Sequence, residues 1–210
     1  MSTKFGKGKV RDLAQVVKTM TRIKQHESRL LISALGPVDG WFVEVSTDAS
    51  LSNLNEGVHS TGAYVILIRN SEGRCAPVSW RSGKIKRIVD STLECECLAL
   101  VDGLKQAVYV REMIEEIFAL DEKSVPVKAV VDNKSTVVAI HLTAPVDDKK
   151  LRRDISIIKQ MLSEKEISSV SWCPGGEQLA DCMTKRTAPV FNLLSVFQSG
   201  RRGDDQEGLV

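Results

Sequence analysis

Apolar positions along the chain change period several times, and each change marks an element. Over 10–24 (VRDLAQVVKTMTRIK), Val10, Leu13, Val16, Val17, Met20 and Ile23 recur at helical spacing and predict one amphipathic helix. Gly36, Pro37 and Gly40 then interrupt the pattern as a linker does. From Trp41 the period falls to two. WFVEVSTDAS (41–50) alternates like a strand, and TGAYVILIRN (61–70) is dense in β-branched residues. The turn NSEG (70–73) leads into RCAPVSW (74–80), so these three predict an antiparallel meander. A helical stripe of Leu93, Cys97, Leu100, Val101, Leu104 and Val108 covers 91–108, with a further helical stretch over 110–119. VPVKAVVD (125–132), apolar but for Lys128, reads as a buried-type strand, and it ends in Asp132. KSTVVAIHL (134–142) predicts a short helix, and Leu151, Ile155, Ile158 and Leu162 a longer one over 149–163. ISSVSW (167–172) is a fifth strand, and EQLADCMTKR (177–186) opens a last helix. The order βββαβαβα predicts an α/β fold, a mixed sheet with helices packed on it.

Composition narrows the function classes. The 210 residues are 42% hydrophobic and 27% charged, an ordinary globular balance with length enough for a sizeable core. A net charge of +2 excludes polyanion binding by bulk charge, so nucleic-acid affinity has to come from local patches. The charge is uneven: residues 1–30 hold eight Lys and Arg against Asp12 and Glu27, a net of +6 that leaves −4 for the remainder. A basic arm thus precedes a slightly acidic body, and it reads either as a solvated leader or as a nucleic-acid contact. Five cysteines, an odd number without CxxC or a signal peptide, predict free thiols in a reducing compartment. None of the three histidines lies near a cysteine, which argues against zinc. No apolar run approaches the ~18 residues of a membrane span. The polar stretch 199–210 predicts a disordered tail.

Four acids stand at element ends or beside an apolar helix stripe. Asp48 lies near the end of the first strand, Glu96 borders the stripe of the long helix, Asp132 ends a buried strand, and Asp181 lies inside the last helix. Strand-end acids collect where ligands bind in open α/β sheets. Two of them on neighbouring strands repel unless a cation lies between, and oxygen-only ligands suit Mg²⁺ or Mn²⁺. Each acid alone also has a plain structural reading. Asp132 before NKSTVV fits a helix N-cap, Asp48 a turn cap, and Asp181 a solvated helix acid. Glu94, two residues from Glu96, must face another way on a helix.

The segments TDAS, VSWRSGKIKRIVDSTLECECLALVDGL, VVDNKS and VSWCPGGEQLADCMTK resemble the ribonuclease H domain of Copia-type (Pseudoviridae) retrotransposon polyproteins. The resemblance covers roughly 41–190, and the upstream helix is similar to the connection segment that joins reverse transcriptase to ribonuclease H. It implies a ribonuclease H-like fold: five mixed strands in the order 3-2-1-4-5, flanked by helices. It also implies a site of Asp48, Glu96, Asp132 and Asp181 that binds two Mg²⁺ or Mn²⁺ ions. Such a site hydrolyses the RNA strand of an RNA–DNA hybrid during reverse transcription. Further implications are a reverse transcriptase domain of the same polyprotein as partner and an intracellular place, cytoplasmic in a virus-like particle or nuclear. The chain is then a polyprotein fragment, a domesticated copy or a truncated reading frame. Residues 1–40 form the basic helix and linker, 41–190 the ribonuclease H-like domain, and 191–210 a C-terminal helix end and tail.

One departure stands out. Many ribonucleases H carry a histidine in the loop before the last acid, and CPGGEQL (173–179) has none. A non-catalytic nucleic-acid-binding or scaffold domain of the same fold is therefore the alternative. For substrate contacts the expectation falls on Arg81, Lys84, Lys86 and Arg87, which precede the long helix, with a second basic group at Lys149, Lys150, Arg152 and Arg153. Ser91 and Thr92 fit either phosphate donation at the helix N-terminus or plain N-capping.

Overall fold

A computed structural model describes residues 10–25, 30–54, 59–142, 147–185 and 187–203. The chain divides into two units, Met1–Leu30 and Leu31–Val210. In the first, helix α1 (Val10–Gln25) carries the expected apolar stripe, with Asp12 in its first turn where the helix dipole favours an acid.

The second unit is built on strands β1 (Trp41–Leu54), β2 (His59–Asn70), β3 (Cys75–Lys84), β4 (Val127–Val131) and β5 (Ser169–Trp172). They form one sheet in the order β3-β2-β1-β4-β5, antiparallel across β3-β2-β1 and parallel across β1-β4-β5. This is the ribonuclease H-like order that the resemblance implies. The hairpin between β2 and β3 closes because Asn70 Oδ1 accepts from the backbone N–H of Glu72 and Arg74 while Gly73 takes a positive φ of 75°.

Helices α2 (Thr92–Phe118), α3 (Lys134–His141) and α4 (Lys149–Ser163) share one core with Val43, Val45, Ile66, Val127, Ala129 and Val131 of the sheet. Alternation along β2 sends Ala63, Val65 and Leu67 to a second core with Leu179, Ala180 and Val196, around α5 (Asp181–Thr184) and α6 (Phe191–Ser199). α2 is one continuous helix of 27 residues rather than two stretches. It lies close on the sheet at Gly103, where a Cβ would come within 2.5 Å of Thr47 Cγ2 and 3.1 Å of Val45 Cγ2. All five cysteines are free.

The structure differs from the sequence reading at both ends of the body. The expected linker at Gly36, Pro37 and Gly40 lies within the second unit, which begins at Leu31. Leu31 N–H donates to Phe197 O at 2.8 Å, Ser33 Oγ to Gly200 O at 2.9 Å, and Asn70 Nδ2 to Leu35 O at 2.9 Å. The polar groups of this stretch are bonded to the body, so it does not behave as a free tether. The expected helix over 177–186 is a 3-10 turn (Gly175–Glu177), a break at Gln178–Ala180 and the single turn α5. Pro189, which cannot continue a helix, separates α5 from α6.

The expected disordered tail is ordered as far as Gly203. Arg202 is buried and ion-paired with Glu44, donates to Ser46 Oγ at 2.9 Å, and shares Glu44 with Arg69. Arg69 Nη2 also donates to the carbonyls of Arg202 and Gly203 at 3.3 Å. A buried carboxylate needs such partners, and one of its two cations, Arg202, comes from a stretch that a hydropathy profile assigns to solvent. The remainder of the tail, 204–210, and the basic residues of 1–9 lie outside the described residues.

Candidate active site

The parallel strands β1 and β4 pair from Val43 to Ser46 and from Val127 to Val130, and then part. Asp48 lies two residues beyond the last pair on β1, and Asp132 directly follows β4. The side-chain amide of Gln178 fills the opening. Its Nε2 donates to Thr47 O at 3.0 Å and Val130 O at 3.4 Å, while Oε1 accepts from Ala180 N–H at 3.2 Å. That clasp brings the segment ending in Asp181 against the strand ends.

The alternative readings of two acids are now separable. Asn133, not Asp132, caps α3: its Oδ1 accepts from Ser135 N–H at 2.9 Å and Thr136 N–H at 3.4 Å. Glu94 is turned away from the strand ends. It accepts from Asp90 N–H at 3.0 Å and pairs with Arg87 at 2.8 Å. Glu96, one turn into α2, faces the opposite way. Asp48, Glu96 and Asp132 each present a carboxylate oxygen within 4.8 Å of the others.

This grouping is expensive without a cation. Asp48 is wholly buried, Glu96 is 4% exposed, and Glu96 Oε2 is buried without a hydrogen-bond partner. Burial, then the charges of Asp48 and Asp132, push the Glu96 carboxyl up to about 9. Burial raises Asp48 to about 6 against a hydrogen bond from Thr184, and burial raises Asp132 as well. Three acids held neutral or repelling at one point, with an oxygen-only donor set, fit a hard divalent cation.

Asp181 stands apart from that group. It is ion-paired with Lys185 four residues on, and Lys185 Nζ also lies 3.5 Å from Asp48 Oδ1. Thr184 Oγ1 donates to Asp48 Oδ2. Burial disfavours the Lys185 charge, but the Asp181 hydrogen bond and the Asp48 carboxylate outweigh it and raise its pKa. Thr184, Lys185 and Gln178 were not singled out from the sequence, although all lie within the segment that carries the resemblance. The one local signal was the i, i+4 spacing of Asp181 and Lys185.

The expected nucleic-acid contacts divide. Arg81, Lys84 and Lys86 line a groove of about 380 Å³ together with Tyr64, Leu98 and Asp102. Arg87 lines it too, and its Nη2 is paired with Glu94 and Asp154, at 2.8 and 2.5 Å, which ties α2 to α4. Ser91 is the α2 N-cap, its Oγ accepting from Glu94 N–H at 3.1 Å, and Thr92 is the exposed first residue of that helix. Lys149, Lys150, Arg152 and Arg153 lie on the exposed first turn of α4, which Asp148 caps. No helix among the described residues is long and apolar enough to cross a membrane.

The sequence matches no family model and no curated protein. Among solved structures, ribonuclease H1 from the halophilic archaeon Halobacterium salinarum is similar over 63% of this chain and 86% of its own, at 16% identity and TM-score 0.41. The N-terminal ribonuclease H domain of a Mycobacterium tuberculosis protein matches over 75% of this chain and 96% of its own, at 15% identity and TM-score 0.47. The protease–reverse transcriptase of prototype foamy virus matches over 82% of this chain and 22% of its own, at 12% identity and TM-score 0.47.

Proposed function

We propose that the chain is a metal-dependent hydrolase of the RNA strand in RNA–DNA hybrids, working within retrotransposon reverse transcription beside a reverse transcriptase of the same polyprotein. The observation that carries this reading is the meeting of Asp48, Glu96 and Asp132 within 4.8 Å, with Glu96 Oε2 buried and unpartnered. These three would hold Mg²⁺ or Mn²⁺. A bound ion at such a point supplies charge for the scissile phosphate and lowers the pKa of an attacking water.

The chain's own residues do the rest. Asp48, on β1 just past its last pair with β4, and Asp132, directly after β4, are fixed where the two strands cannot part further without breaking the Gln178 clasp. Water attacks phosphorus, the bond to the 3′ oxygen breaks, and the products are a 5′-phosphate and a 3′-hydroxyl. Arg81, Lys84 and Lys86 steer the hybrid's backbone, and the 2′-hydroxyl and minor-groove shape of the RNA strand supply selectivity without base reading.

The test is incubation of the chain with a labelled RNA–DNA hybrid, with Mg²⁺ and with a chelator, beside an Asp132→Asn variant. The expected result is Mg²⁺-dependent cleavage of RNA only, absent in the variant. Hybrid binding without cleavage would favour the scaffold reading instead.

A further inference from the structure

The fourth acid raises a question of charge. The resemblance implies two divalent ions held among Asp48, Glu96, Asp132 and Asp181. Here a cation of the chain's own lies between Asp48 and Asp181. Lys185 Nζ is paired with Asp181 and lies 3.5 Å from Asp48 Oδ1. The position is held from the backbone outward. α5 is a single turn, Lys185 N–H donates to Asp181 O at 3.0 Å, and Thr184 Oγ1 donates to Asp48 Oδ2 while lying 3.1 Å from Asp181 O. The two oxygens of Asp48 thus face different partners on this side, Thr184 and Lys185. Asp48 also converges with Glu96 and Asp132, where one buried oxygen of Glu96 is unpartnered.

We propose that this site takes one divalent cation, on Asp48, Glu96 and Asp132, and that the Lys185 ammonium supplies the second positive charge between Asp48 and Asp181. The inference rests on the metal-dependent reading above. An ammonium is a compact point charge with three donors. It neutralises two carboxylates and can donate to a phosphate oxygen or a departing 3′ oxygen, but it does not activate water as a divalent ion does. Lys185 is therefore a positioning and charge-supplying residue, and the water has to be activated on the side of Glu96 and Asp132.

The experiment is a Mn²⁺ titration of the full chain followed by electron paramagnetic resonance of free Mn²⁺. It is run without nucleic acid and again with a non-cleavable 2′-O-methyl RNA–DNA hybrid, for the natural chain, Lys185→Met and Lys185→Arg. The natural chain and Lys185→Arg are expected to bind one Mn²⁺ under both conditions. Lys185→Met should gain a second Mn²⁺, because removing a like charge at about 4 Å favours the ion by tenfold or more. In a chelator its melting temperature should fall, and Mn²⁺ should restore it. Two ions on the natural chain, or one ion on Lys185→Met with no metal-dependent recovery of stability, overturns the proposal. No Mn²⁺ on any of the three removes the metal reading itself, and the proposal with it.

Discussion

Glu96→Gln should make the metal-free protein more stable, and more so as pH rises. In the unfolded chain this carboxyl ionises near its ordinary 4.5, whereas in the fold burial and the charges of Asp48 and Asp132 hold it protonated up to about 9. For an acid whose pKa is raised by folding, the stability it supplies is fully present below the unfolded value. It is lost as pH climbs through the folded one. Between those limits the folded state carries one proton that the unfolded state lacks, a slope of about −1.4 kcal/mol per pH unit. At pH 7.5, about three units above 4.5, the burden is about 4 kcal/mol. Asp48, raised from 3.8 to about 6, adds a second descending stretch at lower pH.

Glutamine has the same shape and no proton to take up. Urea unfolding in a chelator from pH 5 to 9 should give nearly equal stabilities for the two proteins at the acid end. At pH 7.5 the variant should lead by up to about 4 kcal/mol, with its slope flatter by about one proton. Saturating Mg²⁺ should close most of that gap, since binding to the folded natural chain at 100 times Kd adds about 2.7 kcal/mol that the variant largely forgoes. A variant less stable at pH 7.5 without metal, or one with an unchanged slope, would refute the view of Glu96 as a buried acid waiting for a cation.

Two other outcomes are expected. Arg202→Met leaves Glu44 buried with Arg69 as its remaining cation, and should cost about 3 kcal/mol, read as a melting point roughly 10 °C lower; an unchanged melting point would mean that residues 200–203 add nothing to the fold. Replacing Arg81, Lys84 and Lys86 together by Gln should flatten the log–log salt dependence of hybrid binding by about 2 to 3 with thermal stability intact, whereas Arg87→Gln should lower stability and leave that slope nearly unchanged. The reverse pattern would put the substrate elsewhere.

The sequence by itself determined the elements and their order, because hydrophobic period is a local property. The alternation of 41–50, the mostly apolar Val127–Val131 and the 3.6-residue stripe of α2 each required burial of one kind, while the strand order was implied by the family resemblance and not by these periods. It also marked Asp48, Glu96 and Asp132 as acids in places where an acid is costly. Which reading of each acid holds was decided by tertiary structure alone. Asn133 took the cap that Asp132 also fitted, and Arg87, beside the groove, pairs with Glu94 and with Asp154, which lies 67 residues away in sequence. Gln178 bonds across 131 residues to Thr47, Lys185 reaches Asp48 across 137, and Arg202 reaches Glu44 across 158. No local pattern encodes such pairings, because a polar side chain keeps the same signature in sequence whether water or a distant strand satisfies it. Only closing the chain removes the water, and then each buried charge must find the partner that the fold has brought to it.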